Sequence, residues 1–543
     1  MAKARYRVSA HADGRVKQIV QVQPPRLGAM NFAATGGGGY EAAQRSRRLF
    51  GFRPSESSVN SLNMFSGQTL RARARFLVRN NPYARKARRI FVSNLIGTGI
   101  RPIPQPKDAS KKDEISALWN DWVDEADADG VASLYGLQEL VGNAIFEAGE
   151  CFIRFRPRLA RDGLSVPLQL QLLESEFCPY ELNFVTKSGN VVRSGIEFNR
   201  IGQRVAYYFW KSHPGEYSLP LADSGWSRIP ASEVLHIFKP ERPGQIRGVS
   251  WLATSIVIAY IHDQYEDAEL ARKLTASLFA GFITRPNNNA DDPPIGQQDQ
   301  PAVGTIDTST NAPEEVVAGL TPGMLQYLGD GEGVTFSSPA DVGPNYEAFE
   351  YRTLLKFCAG VDLPYFGVTG DLSKANYSSL REGKLDLRSM IKTVQGMAVF
   401  QMCRPVYRRF VTEAVIAGAL PIRAASFNAS PRDWLRARWV PPRMDWVDPL
   451  KDMQADNLAM RAGVDSREAV VLSRGSTLEE VDDAVVRGNE SADSRGLVYD
   501  SDPRKTAPPA GKVASASTQD GGNDPAEKRG ADGAPGDQEE VAA

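Results

Sequence analysis

The 543-residue chain is short of the residues that most often carry chemistry. Its four cysteines, Cys151, Cys178, Cys358 and Cys403, stand far apart with no CxxC pair. That disfavours a zinc ribbon or a disulfide scaffold and fits a reducing compartment. Its four histidines, His11, His213, His236 and His262, show no metal-ligand spacing, so no histidine-based metal site is expected. The motifs GxxxxGK[ST], GxSxG and HExxH are absent, which disfavours a P-loop ATPase, a nucleophile-elbow hydrolase and a zinc protease. No cofactor is expected. Neither sign of charge is in excess: 64 Lys+Arg against 65 Asp+Glu leave a formal net charge of −1. Contact with nucleic acid must therefore come from local patches rather than bulk attraction. Long apolar runs are also missing. A bilayer span needs about 18 or more apolar residues. The most apolar stretch, 249–260, is shorter and leads into His262, Asp263, Glu266 and Asp267. No membrane partner is expected, and the first residues lack the apolar core of a secretory leader.

What is present reads as a multidomain α+β chain. Residues 1–60 form a flexible N-terminal arm, with a glycine joint at 36–39. Residues 70–96 are a helix candidate without a single acid, carrying Arg71, Arg73, Arg75, Arg79, Arg85, Lys86, Arg88 and Arg89, and Pro82 divides it. This stretch fits either a phosphate-facing patch or a face paired with acids of a neighbouring domain or subunit. Helices are expected at 111–129 and 137–148. The acids at 124–129 do not meet the spacing of a calcium loop. The period then changes to strands at 151–156, 168–173, 205–210 and 234–238, so that 61–248 reads as one α+β domain. A helix at 249–279 follows, of roughly 45 Å. Residues 287–313 are a polar excursion, and Gly329-Asp-Gly331 marks a turn between short strands.

The remainder is organised around residues 345–418. A helix start at Asn345 leads to a loop and then to a long helical run. Ser379 and Glu382 fit a capping box. Leu387, Ile391, Val394 and Ala398 mark one helical face, and Pro405 is expected to kink it. Short helices are expected at 449–462, 466–472 and 477–489. Beyond about residue 500 the composition is that of a disordered acidic tail.

The segments LVRNNPYAR (77–85), SNLIGTGIRP (93–102), ESEF (174–177), IPASEVLH (229–236), RGVSW (247–251), GDLSKANYSS (370–379), CRPVY (403–407) and WVDPLKD (446–452) stand in an order that resembles the lambda-type portal proteins of tailed bacteriophages. The resemblance covers about residues 65–490. It implies a homo-oligomeric ring, typically a 12-mer, at one vertex of the capsid in the virion, assembled in the host cytoplasm. Mapped onto this chain, it implies a wing at 61–248, a first stem helix at 249–283 and a clip at 284–344. A second stem helix at 345–361 and a tunnel loop at 362–378 follow. A long kinked wing helix with its connection spans 379–440, a crown 441–500 and the acidic tail 501–543. The implied partners are double-stranded DNA, the terminase large subunit, the head-tail connector protein, and the major capsid and scaffold proteins.

A conduit for DNA must guide the duplex without gripping it, because each bound phosphate adds a salt-dependent attachment. A near-neutral chain suits that demand. The DNA-channel candidates are Lys374, then Arg381 and Lys384, with Asn376 and Tyr377 for uncharged contacts. For Asn376, Tyr377 and Ser379 the competing reading is helix capping or intersubunit hydrogen bonding. No catalytic residue is expected. The alternatives are a metal-dependent nucleic-acid-processing enzyme using dispersed carboxylates such as Asp371 and Asp386, or a minor capsid or scaffold protein without a DNA path.

Overall fold

The computed structural model describes residues 5–10, 16–22, 51, 54–216, 225–277, 281–284, 333–336, 345–442 and 449–499, and divides into two units, 1–58 and 59–543. In the first unit, β1 (Arg5–Ala10) and β2 (Val16–Val22) pair antiparallel, with Tyr6 opposite Gln21. Paired strands thus stand inside the stretch expected to be a loose arm. Val8, Val16, Ile19, Val20 and Val22 supply the β-branched character that pairing favours.

The second unit opens on α1 (Val59–Asn80) and α2 (Pro82–Leu95). The break falls at Asn81, as Pro82 predicts. Asn81 is extended, its side chain accepts from Ala84 N, and Pro82 occupies the first turn, where a missing N–H costs nothing. Next come β3 (Arg101–Pro104), α3 (Lys112–Glu125) and α4 (Leu134–Glu147). The acidic run after α3 is a turn device. Asp127 is buried, and its carboxylate accepts from the backbone N–H groups of Asp129, Val131 and Ala132.

The strands β4 (Glu150–Pro157) and β5 (Leu168–Leu173) appear where the alternation predicts them. Four more were not legible: β6 (Phe184–Val185), β7 (Val191–Arg193), β8 (Ile196–Phe198) and, beyond β9 (Arg204–Trp210), β10 (Trp226–Pro230). The two- and three-residue strands β6, β7 and β8 are too short to show a period. With β11 (Val234–Phe238) they form an antiparallel sheet β10-β9-β8-β7-β6 and a second, β11-β4-β5. Between these sheets lies a small core containing Phe152, Cys178, Ile196, Tyr207 and Phe209.

The helix expected at 249–279 is shorter. Helix α5 runs Ile256–Ser277, whereas 249–250 is irregular and 251–255 forms turns. Ser250 Oγ accepts from Leu252 N, and Trp251 N donates to Phe146 O, which holds this segment irregular. Two further strands, β12 (Gly281–Thr284) and β13 (Gly333–Phe336), pair with each other. The partner of β13 thus lies before the polar excursion rather than across the glycine turn. That turn, the excursion and the tail from residue 500 lie outside the described residues.

Helix α6 (Asn345–Gly360) pairs with α5, and α7 (Tyr365–Thr369) interrupts the expected loop. Helix α8 (Tyr377–Ala398) passes into α9 (Arg404–Ile416) through a wide π turn at Val399–Cys403. The disruption expected at Pro405 takes this form. Pro405 has no N–H to donate back, and the wider turn absorbs the gap. Leu387, Ile391, Val394 and Ala398 are all buried, in one core with α2, α3 and α4. Helices α10 (Ala424–Ala429) and α11 (Pro431–Trp434) lead to β14 (Ala437–Val440), which pairs with β3. Finally α12 (Pro449–Arg461), α13 (Arg467–Ser473) and α14 (Leu478–Ser494) follow. Ser466 and Thr477 cap the last two. The architecture is α+β.

Candidate nucleic-acid interface and its buried anchor

The stretch 362–378 is a built loop. Asp362 adopts a positive φ of 56°, which turns the chain sharply out of α6. Gly370, at φ 81°, ends α7 in the left-handed conformation. The Asp371 carboxylate accepts from Ser373 N (2.9 Å) and from the Tyr365 hydroxyl (3.3 Å). Those bonds, Ser373 first, hold its carboxyl below the usual range. Asn376 then caps α8: its Oδ1 accepts from Ser379 N (2.8 Å), and Ser379 Oγ accepts from Asn376 N (3.0 Å). The capping box is therefore Asn376–Ser379, and the expected Ser379–Glu382 pair is corrected. Asn376 is the extended residue, so the helix begins at Tyr377, three residues earlier than a cap at Ser379 would place it.

Lys374 sits on the exposed side of this loop, but its ammonium is engaged. It lies 3.0 Å from Glu347 Oε1 and 4.3 Å above the Tyr351 ring, both on α6. Tyr351 in turn packs edge-on against Tyr365 at 4.8 Å. Arg381 reaches Asp452 of α12 at 4.0 Å. Lys384 and Tyr377 are exposed. Lys374 thus faces α6, while Tyr377, Arg381 and Lys384 lie in the first turns of α8.

The eight basic residues of α1 and α2 divide. Arg71 is buried and meets Glu176 at 2.8 Å. Arg75 meets Glu176 (2.8 Å) and Glu174 (3.1 Å), and Arg88 pairs with Glu147. These three are paired with acids of the same chain, within the same 61–248 stretch, rather than with those of a neighbouring domain or subunit. Arg73, Arg79, Arg85, Lys86 and Arg89 are exposed.

Sequence reasoning missed the most organised polar group in the fold. Glu150, at the start of β4, is fully buried. Arg247 Nε donates to both of its oxygens (2.8 and 3.0 Å). His236 Nε2 donates to Oε2 (3.0 Å), as does Gly248 N (2.8 Å). The Ser175 hydroxyl donates to Oε1, and Arg71 donates to Ser175 Oγ (2.8 Å). Arg247 also donates to Ser194 O and Cys178 O and lies 4.0 Å over the Tyr180 ring. Burial by itself would raise the Glu150 pKa, but the Arg247 charge and the His236 hydrogen bond hold it well below the carboxylate range. Burial depresses His236 to about 4, against the pull of Glu150. A lone glutamate beginning a strand carries no sequence signal. Its partners do: ESEF, IPASEVLH and RGVSW, three segments that carry the family resemblance, deliver Ser175, His236 and Arg247 to this one carboxylate.

The four cysteines are free and buried, each thiol pushed up to about 12 by burial foremost. Thiols so raised are poor nucleophiles. Two donor groups come together that sequence spacing does not reveal: Glu174, Glu176 and His213, and His262, Glu266 and Glu350. Each combines separate elements, so no local motif announces it.

The family model described as "Phage portal protein, lambda family" matches residues 45–395. A probable portal protein of Halomonas phage phiHAP-1 is 28% identical over 76% of this chain and 78% of its own. The portal protein of Escherichia phage N15 is 21% identical, and portal protein B of Escherichia phage lambda 20% identical, each over 85% of this chain and 90% of its own. Likeness to solved structures is weak: the neck of a native gene transfer agent particle aligns over 78% of this chain and 96% of its own, at TM-score 0.39 and 14% identity. The match over residues 45–395 places the chain in the lambda family of phage portal proteins.

Proposed function

We propose that this chain is a structural protein that closes into a ring at one capsid vertex and serves as the conduit for double-stranded DNA. The terminase motor docks on it during packaging and the head-tail connector later, with capsid and scaffold proteins around it. The reading rests on the family match through residues 45–395, which takes in α5, α6 and the loop between α6 and α8. The charge pattern supports it. A formal net charge of −1, with Arg71, Arg75 and Arg88 neutralised within the chain, leaves little that would hold DNA fast. Lys374 contributes a weak, exchangeable phosphate contact: its ammonium moves between Glu347 and a passing phosphate, two anions of similar pull. Arg381 and Lys384 extend that contact along α8.

Electron microscopy of purified protein tests the ring. Closed particles with a central opening are expected, and exclusively monomeric particles under assembly conditions reject the reading. Incubation with duplex DNA and magnesium or manganese is expected to leave the DNA intact. Cleavage lost on mutating Asp371 or Asp386 would favour a nuclease instead.

A further inference from the structure

The contact between α5 and α6 contains a charge imbalance that the proposed conduit does not use. His262 and Glu266 stand four residues apart on α5, so they share one face, and Glu350 approaches from α6. One donor atom of each lies within 4.8 Å of the other two. His262 Nδ1 is 3.5 Å from Glu266 Oε2, too long for a good hydrogen bond. His262 is 3% exposed, and its Nε2 has no hydrogen-bond partner.

The neighbouring charges are already matched. Glu269 holds Arg272 and Lys273, Glu347 holds Lys374, and the Asn81 amide donates to Asp263. Among the described residues, no lysine or arginine forms an ion pair with Glu266 or Glu350. Burial, and repulsion from Glu350, Asp263 and Asp267, raise the Glu266 carboxyl despite His262. A buried imidazole whose Nδ1 stands 3.5 Å from Glu266, beside two carboxylates that no described lysine or arginine pairs, is a donor set awaiting a cation. The other group, Glu174, Glu176 and His213, differs because Arg71 and Arg75 already neutralise its acids.

We propose that His262, Glu266 and Glu350 form a binding site for a divalent transition-metal ion, zinc fitting best, which staples α5 to α6. Imidazole nitrogen and carboxylate oxygen both bind zinc, and three protein ligands leave a fourth position for water. Bonds of about 2.0–2.2 Å would draw the three atoms together by roughly 1 Å, within the reach of side-chain rotation. Magnesium, which prefers oxygen ligands alone, gains nothing from His262.

The test uses full-length assembled protein, stripped with a chelator and titrated with zinc alone by calorimetry and thermal unfolding. One zinc per chain and a raised Tm are expected, with no matching response to magnesium. His262→Gln and Glu350→Gln should each weaken zinc binding by roughly 10–100-fold while leaving the metal-free Tm near that of the parent. Glu174→Gln should leave zinc binding unchanged. Unaltered zinc affinity in the His262→Gln/Glu350→Gln double variant would overturn the proposal. So would equal responses to magnesium and zinc, or no zinc uptake at all. The ring reading is tested separately by microscopy, so either can fail alone.

Discussion

At the residue scale, the stability of the fold turns on Glu150. Arg247 is 1% exposed and has one carboxylate to neutralise it, so Glu150→Gln leaves a buried guanidinium without its counter-charge. Breaking such a pair costs on the order of 3–5 kcal/mol, which urea unfolding at fixed protein concentration would read. His236 makes the same site sensitive to acid. The unfolded chain binds a proton at His236 near pH 6.5, whereas the folded protein does so only near 4. Between those values the unfolded state holds more protons, so stability declines as the pH falls through this window. Glu150 acts in the same direction at lower pH. Its contribution is complete above the unfolded value near 4.5 and is lost as the pH falls through its depressed folded value. His236→Gln retains an N–H donor without titrating, so it should flatten the urea midpoint between pH 6.5 and 4. An unchanged slope would place the titration elsewhere.

At the scale of elements, two joints decide how helices meet strands. Gly149 precedes β4 at φ 85°, and a Cβ there would lie 2.1 Å from the Val249 carbonyl carbon. Gly248 faces it, with its own Cβ position 2.1 Å from Gly149 O. The two backbones touch where Glu150 and Arg247 must pair, and no side chain fits. Gly149→Ala should therefore abolish soluble expression or cost several times the effect of Gly163→Ala. Gly163 has a similar φ in open space, where the change costs only about 1 kcal/mol. The α8 cap is gentler. Asn376→Ala removes one side-chain acceptor and should destabilise the first turn by about 1 kcal/mol. The readout is faster amide exchange at Tyr377–Leu380 with the global midpoint nearly unchanged, because Leu387, Ile391 and Val394 hold the rest of the helix in the core.

At the scale of the whole molecule, the expected outcome concerns transport. Lys374→Ala and Lys374→Glu should leave rings intact in micrographs and reduce the DNA content of assembled particles, the charge reversal more strongly. Normal DNA content in both would remove Lys374 from the conduit.

Long-period features were legible in the letters. The buried face of α8, the break at Pro82 and the strands at 168–173 and 234–238 each repeat an apolar or β-branched pattern within one segment, and local sterics settle them. The ordered family segments were legible too. What tertiary structure alone decided is which distant side chains meet. Glu150 finds Arg247 and His236, Arg71 and Arg75 turn inward to Glu176, and His262 faces Glu350. Burial makes those pairings necessary, because a charge removed from water must find its opposite wherever the fold has placed it. That demand leaves no periodicity in the sequence.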